Sequence, residues 1–471
     1  MTLASRFLAV LLAVCWAYPA TAQGGADVPE VRVRLFDGQQ PSGTVHVTAL
    51  NVPLTVTVDG AVAGALPVGV EADLDRSGGR VHLRGGTVDV TGALVEISGG
   101  PFRVHGGSTD RSYRGTLRVT HVSNRLLFIN HVRMPDYVAS VTGAEYPFSE
   151  IEGVKAQAIL VRTYALHRQQ AGRAYDVDDH QGSQVYKGIE SETPTTRRAA
   201  EETFGVALYY GSSLAEALYS SSSGGYTASN ESVWGTTPKP YLRGVPDPYD
   251  ADAPDHTWQT TADAGRVFAA LSARYGRVTD AAVADRSRDG RVLTVRLTGD
   301  RTQTVSGADF RVLVNARVGS RTLRSTYFSI DRQGNRLVFD GRGFGHGVGM
   351  SQYGARGQAR AGRSYDQILA FYFGGTQLRT LPYASTAPPA GSPPMASLPP
   401  SGAAGVVPGT VSVALPREPA GPVPVVRGTW GPVRARPTPR ASAHADAAQA
   451  ARTAATTPDE PSGEVSRRKA W

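Results

Sequence analysis

The 471-residue chain has one cysteine, and only four of its 49 cations are lysines. Cys15 lies in an N-terminal stretch with a single cation, Arg6, an apolar run from Phe7 to Ala17, and a small-x-small end at Ala20-Thr21-Ala22. That order is the pattern of a secretory signal peptide over residues 1–22, with cleavage before Gln23. A chain cut there has no thiol, which excludes disulfides, Cys-ligated metals and thiol nucleophiles. The apolar run is about 11 residues, short of the roughly 20 that span a bilayer, and no other segment is longer and as apolar. No transmembrane span is expected after signal cleavage. A strongly basic globular part is also missing. Residues 381–471 hold nine basic and five acidic residues, so the formal charge of +8 falls to +3 over residues 23–380. The scarcity of lysine beside abundant Ala, Gly and Pro reads as codon usage, and nucleic acid is not an expected partner.

What is present is organised in blocks. From Val31 to Val119 apolar residues alternate (Val31, Val33, Leu35; Val45, Val47; Leu54, Val56, Val58), punctuated by turns such as Asp59-Gly60 and Gly99-Gly100. Period-two runs of this length predict a small all-β region over residues 23–110. Its carboxylates Glu71, Asp73 and Asp75 share one face of an extended segment and read as a solvated strand edge. A strand-like run, Tyr137–Val141, precedes a long helix that opens on the capping-box pair Ser149 and Glu152 and runs to about Ala171-Gly172. Shorter helices are expected over Pro194–Phe204, Ala262–Tyr275 and Ser364–Phe373, the last with a Ser-x-x-Gln box, and strands over Val206–Tyr209, Arg291–Leu297 and Arg336–Phe339. Helices interspersed with antiparallel-type strands give an α+β class for residues 111–380. Just over half of the prolines fall in residues 381–471, a Pro/Ala-rich stretch that reads as a disordered tail.

Few residues in these blocks invite chemistry. Glu145, in the turn Gly143-Ala144-Glu145-Tyr146-Pro147, reads either as a desolvated general acid or as a surface residue stabilising the next helix's N-terminus. Lys155 and Arg162 stand two turns apart on an otherwise apolar helix face. Buried cations there must meet an anion, a carbonyl or a substrate, unless they snorkel to solvent. Ser220 to Gly225 offers hydroxyls without the spacing of a nucleophile elbow, and reads equally as a polar linker. Glycine recurs at every second position from Gly341 to Gly349, which permits close backbone approach or positive φ, and His346 within it reads as structural on its own.

Three blocks in this order resemble the SpoIID/LytB family of cell-wall proteins. They are Ala144-Glu145-Tyr146-Pro147 with Val154 to Ala158 and Arg162 to Ala165; Tyr219 to Gly225; and Gly343 to Ala355. Gln184-Val185-Tyr186, Val233-Trp234-Gly235, Pro240-Tyr241-Leu242 and Leu323 to Thr326 agree too, so the resemblance covers roughly residues 113–376. It implies a lytic transglycosylase cleaving the MurNAc-GlcNAc strands of peptidoglycan, with Glu145 as the general acid/base. Lys155, Gln157, Arg162, Thr163, Tyr219, Ser222, Ser223, Gly224, Gly225, Trp234, His346, Ser351 and Gln352 are then the implied supporting or substrate-binding residues. The alternative it implies is a non-catalytic enhancer that binds an N-acetylmuramoyl-L-alanine amidase. Some sporulation members bind zinc through a His and two Cys before the Gln-Val-Tyr piece. Here that stretch is Asp178-Asp179-His180-Gln181-Gly182-Ser183, so no zinc or other cofactor is expected. Many members also carry His where Ser220 stands. An exported, periplasmic, wall-associated or secreted location is expected.

Overall fold

The computed structural model describes residues 28–37, 41 and 43–382. The expected signal peptide lies outside them, as does the expected tail beyond its first two residues. Alternation in the N-terminal part builds two sheets. One has seven strands, in the order Val177–Asp178, Glu30–Arg34, Arg125–Arg133, Thr116–Val122, Leu94–Ser98, Leu54–Val58, Ala61–Leu66. The other has six: Thr109–Tyr113, Phe102–Gly106, Val45–Ala49, Glu71–Ser77, Arg80–Gly85, Val88–Gly92. Every second side chain turns inward (Val31, Val33, Val45, Val47, Leu74, Leu83, Val95, Ile97), and both sheets feed one core. Asp59 and Gly60, at φ 49° and 89°, make the two-residue turn joining Leu54–Val58 to Ala61–Leu66. Strands on both sides of residue 110 share the seven-stranded sheet, since Thr116–Val122 pairs with Leu94–Ser98. Glu71, Asp73 and Asp75 do share a face, but their strand is interior, not an edge. His46 Nδ1 lies 2.8 Å from Asp73, and His82 Nδ1 lies 3.2 Å from Asp75.

Eight α-helices follow among the described residues: α1 (Met134–Glu145), α2 (Ile151–Arg168), α3 (Pro194–Glu202), α4 (Asn230–Trp234), α5 (Ala264–Tyr275), α6 (Gly307–Arg317), α7 (Gln352–Arg360) and α8 (Tyr365–Tyr372). The architecture is α+β. No described helix is long and apolar enough to cross a membrane. Helix α1 replaces the strand expected at Tyr137–Val141. Tyr137 to Thr142 are all buried, so no polar face marks the period. In α2 the expected capping box does not form and the helix stops at Arg168; Glu150 is the N-cap residue, while Glu152 accepts from the Tyr365 N–H at 2.9 Å. The box at α8 does form, with Ser364 and Gln367. A box the sequence reading missed opens α3, where Thr193 and Thr196 cap each other's backbone N–H groups. Thr193→Ala is therefore expected to lower unfolding free energy by about 1 kcal/mol in a urea titration; no change in midpoint would refute the cap's contribution.

Helices α1 and α2 pack on the first core, which they share with the sheets. A second, separate core lies within residues 258–339, built from Val267, Leu271, Val295, Leu297, Phe310, Phe328, Leu337 and Phe339. Strand Thr257–Asp263 opens this segment and Arg336–Arg342 closes it. The two pair antiparallel from Thr257↔Arg342 to Asp263↔Arg336.

Candidate active site

Glu145 is the last residue of α1, so the first three residues of the turn expected over residues 143–147 are helical. Its side chain lines a cleft of about 720 Å³ together with Tyr164, Asp179, Gln184, Tyr219, Ser220, Phe344 and Gln352. Two contacts fix it. The Val185 N–H donates to Oε1 at 2.7 Å, and the Gln352 side-chain amide donates to the Glu145 carbonyl at 2.8 Å. Burial pushes the carboxyl above its ordinary value, against the Val185 N–H and the positive charge of Lys187, which both pull it down. Its place at a helix C-terminus acts in the same direction as burial, because the dipole's negative end disfavours a carboxylate there. Burial and the neighbouring Glu145 also hold the Tyr219 phenol well above its usual range. Tyr219 accepts from Gln184 at 3.1 Å, and the Gln184 carbonyl oxygen accepts from Tyr137 at 2.9 Å.

The second and third motif blocks converge through backbone pairing, and the Gln352 side chain joins the first to them. Tyr219-Ser220 forms a two-residue parallel ladder with Met350-Ser351, flanked by bridges Ser222↔Phe344 and Ala228↔Val348. This closeness explains the glycine spacing. A Cβ on Gly349 would sit 2.1 Å from the Leu218 carbonyl oxygen, and one on Gly345 2.8 Å from the Ser220 Cβ; both residues have positive φ.

Beneath the Ser-rich loop lies a hub the sequence reading missed. Asp250, fully buried, accepts from the hydroxyls of Ser222 (2.7 Å) and Ser351 (2.6 Å) and from the Ser223 and Gly224 N–H groups (both 3.0 Å). His256 Nδ1 lies 3.1 Å from it. Asp247, also fully buried, accepts from Ser223 and Tyr372, each at 3.0 Å. Burial, then the charge of Asp250, raises Asp247 to about 6. No spacing rule marks Pro246-Asp247-Pro248-Tyr249-Asp250 as such a hub; its donors lie up to 125 residues away along the chain.

Of the site residues implied by the family resemblance, Glu145, Tyr219 and Gln352 line the cleft. The others do not. Lys155 bridges α2 to α3 through Glu152 (2.9 Å) and Glu202 (2.6 Å). Arg162, 1% exposed, donates to the carbonyls of Ala200 and Val206 at 3.2 and 2.9 Å. Their apolar helix face is as expected, and an anion and carbonyls satisfy them without a substrate. Thr163 accepts from the Leu208 N–H, and Gln157 is fully buried in α2. Ser222, Ser223 and Gly224 turn toward Asp247 and Asp250, while Gly225 accepts from the Asp247 N–H through its carbonyl. Ser351 caps α7. Trp234 packs on His346, ring centroids 5.2 Å apart, and the His346 Nδ1 accepts from the Val348 N–H. The cleft also takes Arg111, Lys187, Arg311 and Arg321, which sequence reasoning did not single out.

These features agree with known sequences. The family described as Stage II sporulation protein matches residues 122–210, and a domain of unknown function matches residues 256–349. The chain is 32% identical to stage II sporulation protein D of Bacillus subtilis (strain 168), over 53% of this chain and 75% of that protein. The chain belongs to the stage II sporulation protein D family. It is also 31% identical to the amidase enhancer of the same organism, over 50% of this chain and 39% of that protein. An uncharacterised protein of Brachyspira hyodysenteriae (strain ATCC 49526 / WA1) is 30% identical over 56% of this chain and 72% of its own length. The family memberships support a role in cell-wall remodelling.

The zinc of some family members can be weighed against the donors present. Ligand atoms of Asp37, Asp178 and His180 lie within 4.8 Å of one another. Arg34 already occupies that cluster, ion-paired to Asp37 and donating to Asp178 at 2.7 Å, and His180 Nδ1 accepts from the Gly182 N–H. With a guanidinium between the carboxylates and no thiolate, this set does not fit that zinc.

Proposed function

We propose that this chain is a lytic transglycosylase of peptidoglycan glycan strands, with Glu145 as the general acid and base. The carrying observation is one desolvated carboxyl at the cleft wall, with no second available one among the described residues. Asp179, the cleft's other carboxyl, is buried, and its oxygens accept the Phe36 and Asp37 N–H groups at 3.0 and 3.4 Å. Hydrolytic glycosidases use a pair of carboxyls, one to handle water. A single one suffices where the substrate supplies its own nucleophile. Glu145 gives its proton to the glycosidic oxygen as the bond to the MurNAc anomeric carbon breaks. The carboxylate then takes the proton of the same residue's C6 hydroxyl as that oxygen bonds to the anomeric carbon. A 1,6-anhydro end forms, no water is consumed, and Glu145 returns protonated. No step calls for a metal. The decisive experiment is digestion of peptide-stripped strands with mass detection of 1,6-anhydro ends; release of reducing ends alone would overturn the mechanism.

The acid works only while protonated, so the rate falls as pH rises through the Glu145 pKa. Lys187 pulls that pKa down. Lys187→Ala should therefore shift the alkaline limb of the rate profile to higher pH, and a limb that stays or moves down would contradict the assignment.

A second reading draws on the likeness to the amidase enhancer: a protein that stimulates a separate N-acetylmuramoyl-L-alanine amidase without cutting glycan. It requires no anhydro ends from the chain alone and faster amide cleavage when amidase is added. Both readings place the protein at exported peptidoglycan, consistent with the expected leader.

A further inference from the structure

Four cations line the cleft that holds Glu145, and they arrive from distant parts of the chain. Arg111 comes from the strand Thr109–Tyr113, Lys187 from the residue before the 3-10 turn Gly188–Ser191, Arg311 from α6, and Arg321 from just beyond it. Arg321 is accounted for: it pairs with Asp255 at 2.9 Å, and its guanidinium lies 4.6 Å from the Phe344 ring centroid. The other three have no carboxylate within ion-pairing distance among the described residues. Arg111 donates to the Tyr186 carbonyl at 3.3 Å and feels Asp179 only from farther away. Lys187 is exposed at the cleft wall beside Glu145. Arg311 is 6% exposed and donates at 3.0 Å to two carbonyls, those of Leu323 and Arg324. Burial, with Arg291 as a second cause, lowers it to about 10.

A buried guanidinium facing a cleft with carbonyls alone as partners is costly. The geometry points to a carboxylate-binding subsite in this cleft, in which Arg111, Lys187 and Arg311 hold an anionic group of the glycan while Glu145 faces the bond to be cut. This rests on the glycan-strand reading above. Guanidinium forks suit planar carboxylates, and two sources carry that chemistry: the lactyl group of muramic acid, when no peptide is attached, and the stem peptide when one is. A bound carboxylate beside Lys187 would also cancel the charge that opposes protonation of Glu145, so binding would load the acid.

The test measures binding by the Glu145→Gln protein, which leaves strands uncut, to three labelled ligands: peptide-stripped strands, the same strands with carboxyls amidated, and peptide-bearing strands. Amidation should weaken binding by about tenfold, and the difference should shrink in about 0.3 M salt. Arg111→Ala with Lys187→Ala should lose a similar factor on stripped strands and become indifferent to amidation, with Arg111→Lys partly retaining it. Peptide-bearing strands separate the sources. Affinity equal to stripped strands assigns the stem carboxylates, and affinity as low as amidated strands assigns the lactyl group. The subsite is overturned if amidation leaves affinity within about twofold while wild type still cuts strands. The amidation arm needs no change at these positions, so misfolding of a variant does not protect the idea. If no strand is bound or cut in any form, the glycan reading and the subsite fall together.

Discussion

Replacing Glu145 with Gln is expected to reduce release of 1,6-anhydro ends from peptide-stripped strands by about 10²–10⁴-fold, the range that general acid–base assistance supplies. Glutamine keeps the shape and the oxygen that accepts from the Val185 N–H, and loses the proton. Stability should not suffer. A carboxyl whose pKa is raised in the folded state binds protons more tightly there than in the unfolded chain. Its contribution therefore falls as pH rises from the ordinary carboxyl range through the raised value, and glutamine removes that loss at neutral pH. Unchanged end counts in the variant would remove Glu145 from the mechanism. Lost activity accompanied by a lower thermal midpoint would trace the loss to folding instead.

Asp250→Ala should cost about 3–5 kcal/mol of unfolding free energy, read from urea titration. Four donors, the Ser222 and Ser351 hydroxyls and the Ser223 and Gly224 N–H groups, lose their acceptor inside the protein. Buried donors without acceptors carry the full desolvation penalty. Glycan cleavage should fall as well, since Ser351 caps the helix whose first residue, Gln352, holds the Glu145 carbonyl. A loss below about 1 kcal/mol would show that the loop does not depend on this carboxylate. Neighbouring Asp247 adds a pH signature. Raised to about 6, it lowers stability progressively as pH climbs from near 3.8 to about 6 and then contributes a constant term.

Local patterns in the sequence carry much of the fold. Alternation marks the sheets, and α3, α5 and α8 follow apolar period and capping chemistry. Failure comes where burial is uniform or tertiary partners compete. Tyr137 to Thr142 are buried on every side, so helix and strand look alike in sequence, and Glu152 leaves its expected cap for Tyr365 and Lys155. The site divides the same way. Glu145 is legible through its Glu-x-Pro context, and the glycine spacing through the close passage of Leu218 and Ser220. Arg111 and Arg321 are not, because they meet at one cleft across 210 residues of chain and no local period encodes that meeting. Lys155 and Arg162 show the converse. Their helix face was legible, but the partners they meet there come from α3 and the strand after it.

The segment with the second core leaves the chain at Thr257 and returns at Arg342, its paired neighbour. Its ends therefore need no spacer to meet, and its buried Arg291 ties it to the Ser-rich loop by donating to the Ser223 and Tyr226 carbonyls at 3.1 and 3.3 Å. Arg311 and Arg321 lie within this segment and reach the cleft from it, while α1 and its acid lie outside it. The cationic rim of the cleft is thus assembled from both sides of the segment's boundary, Arg311 from within it and Arg111 and Lys187 from outside, while the acid stays on α1.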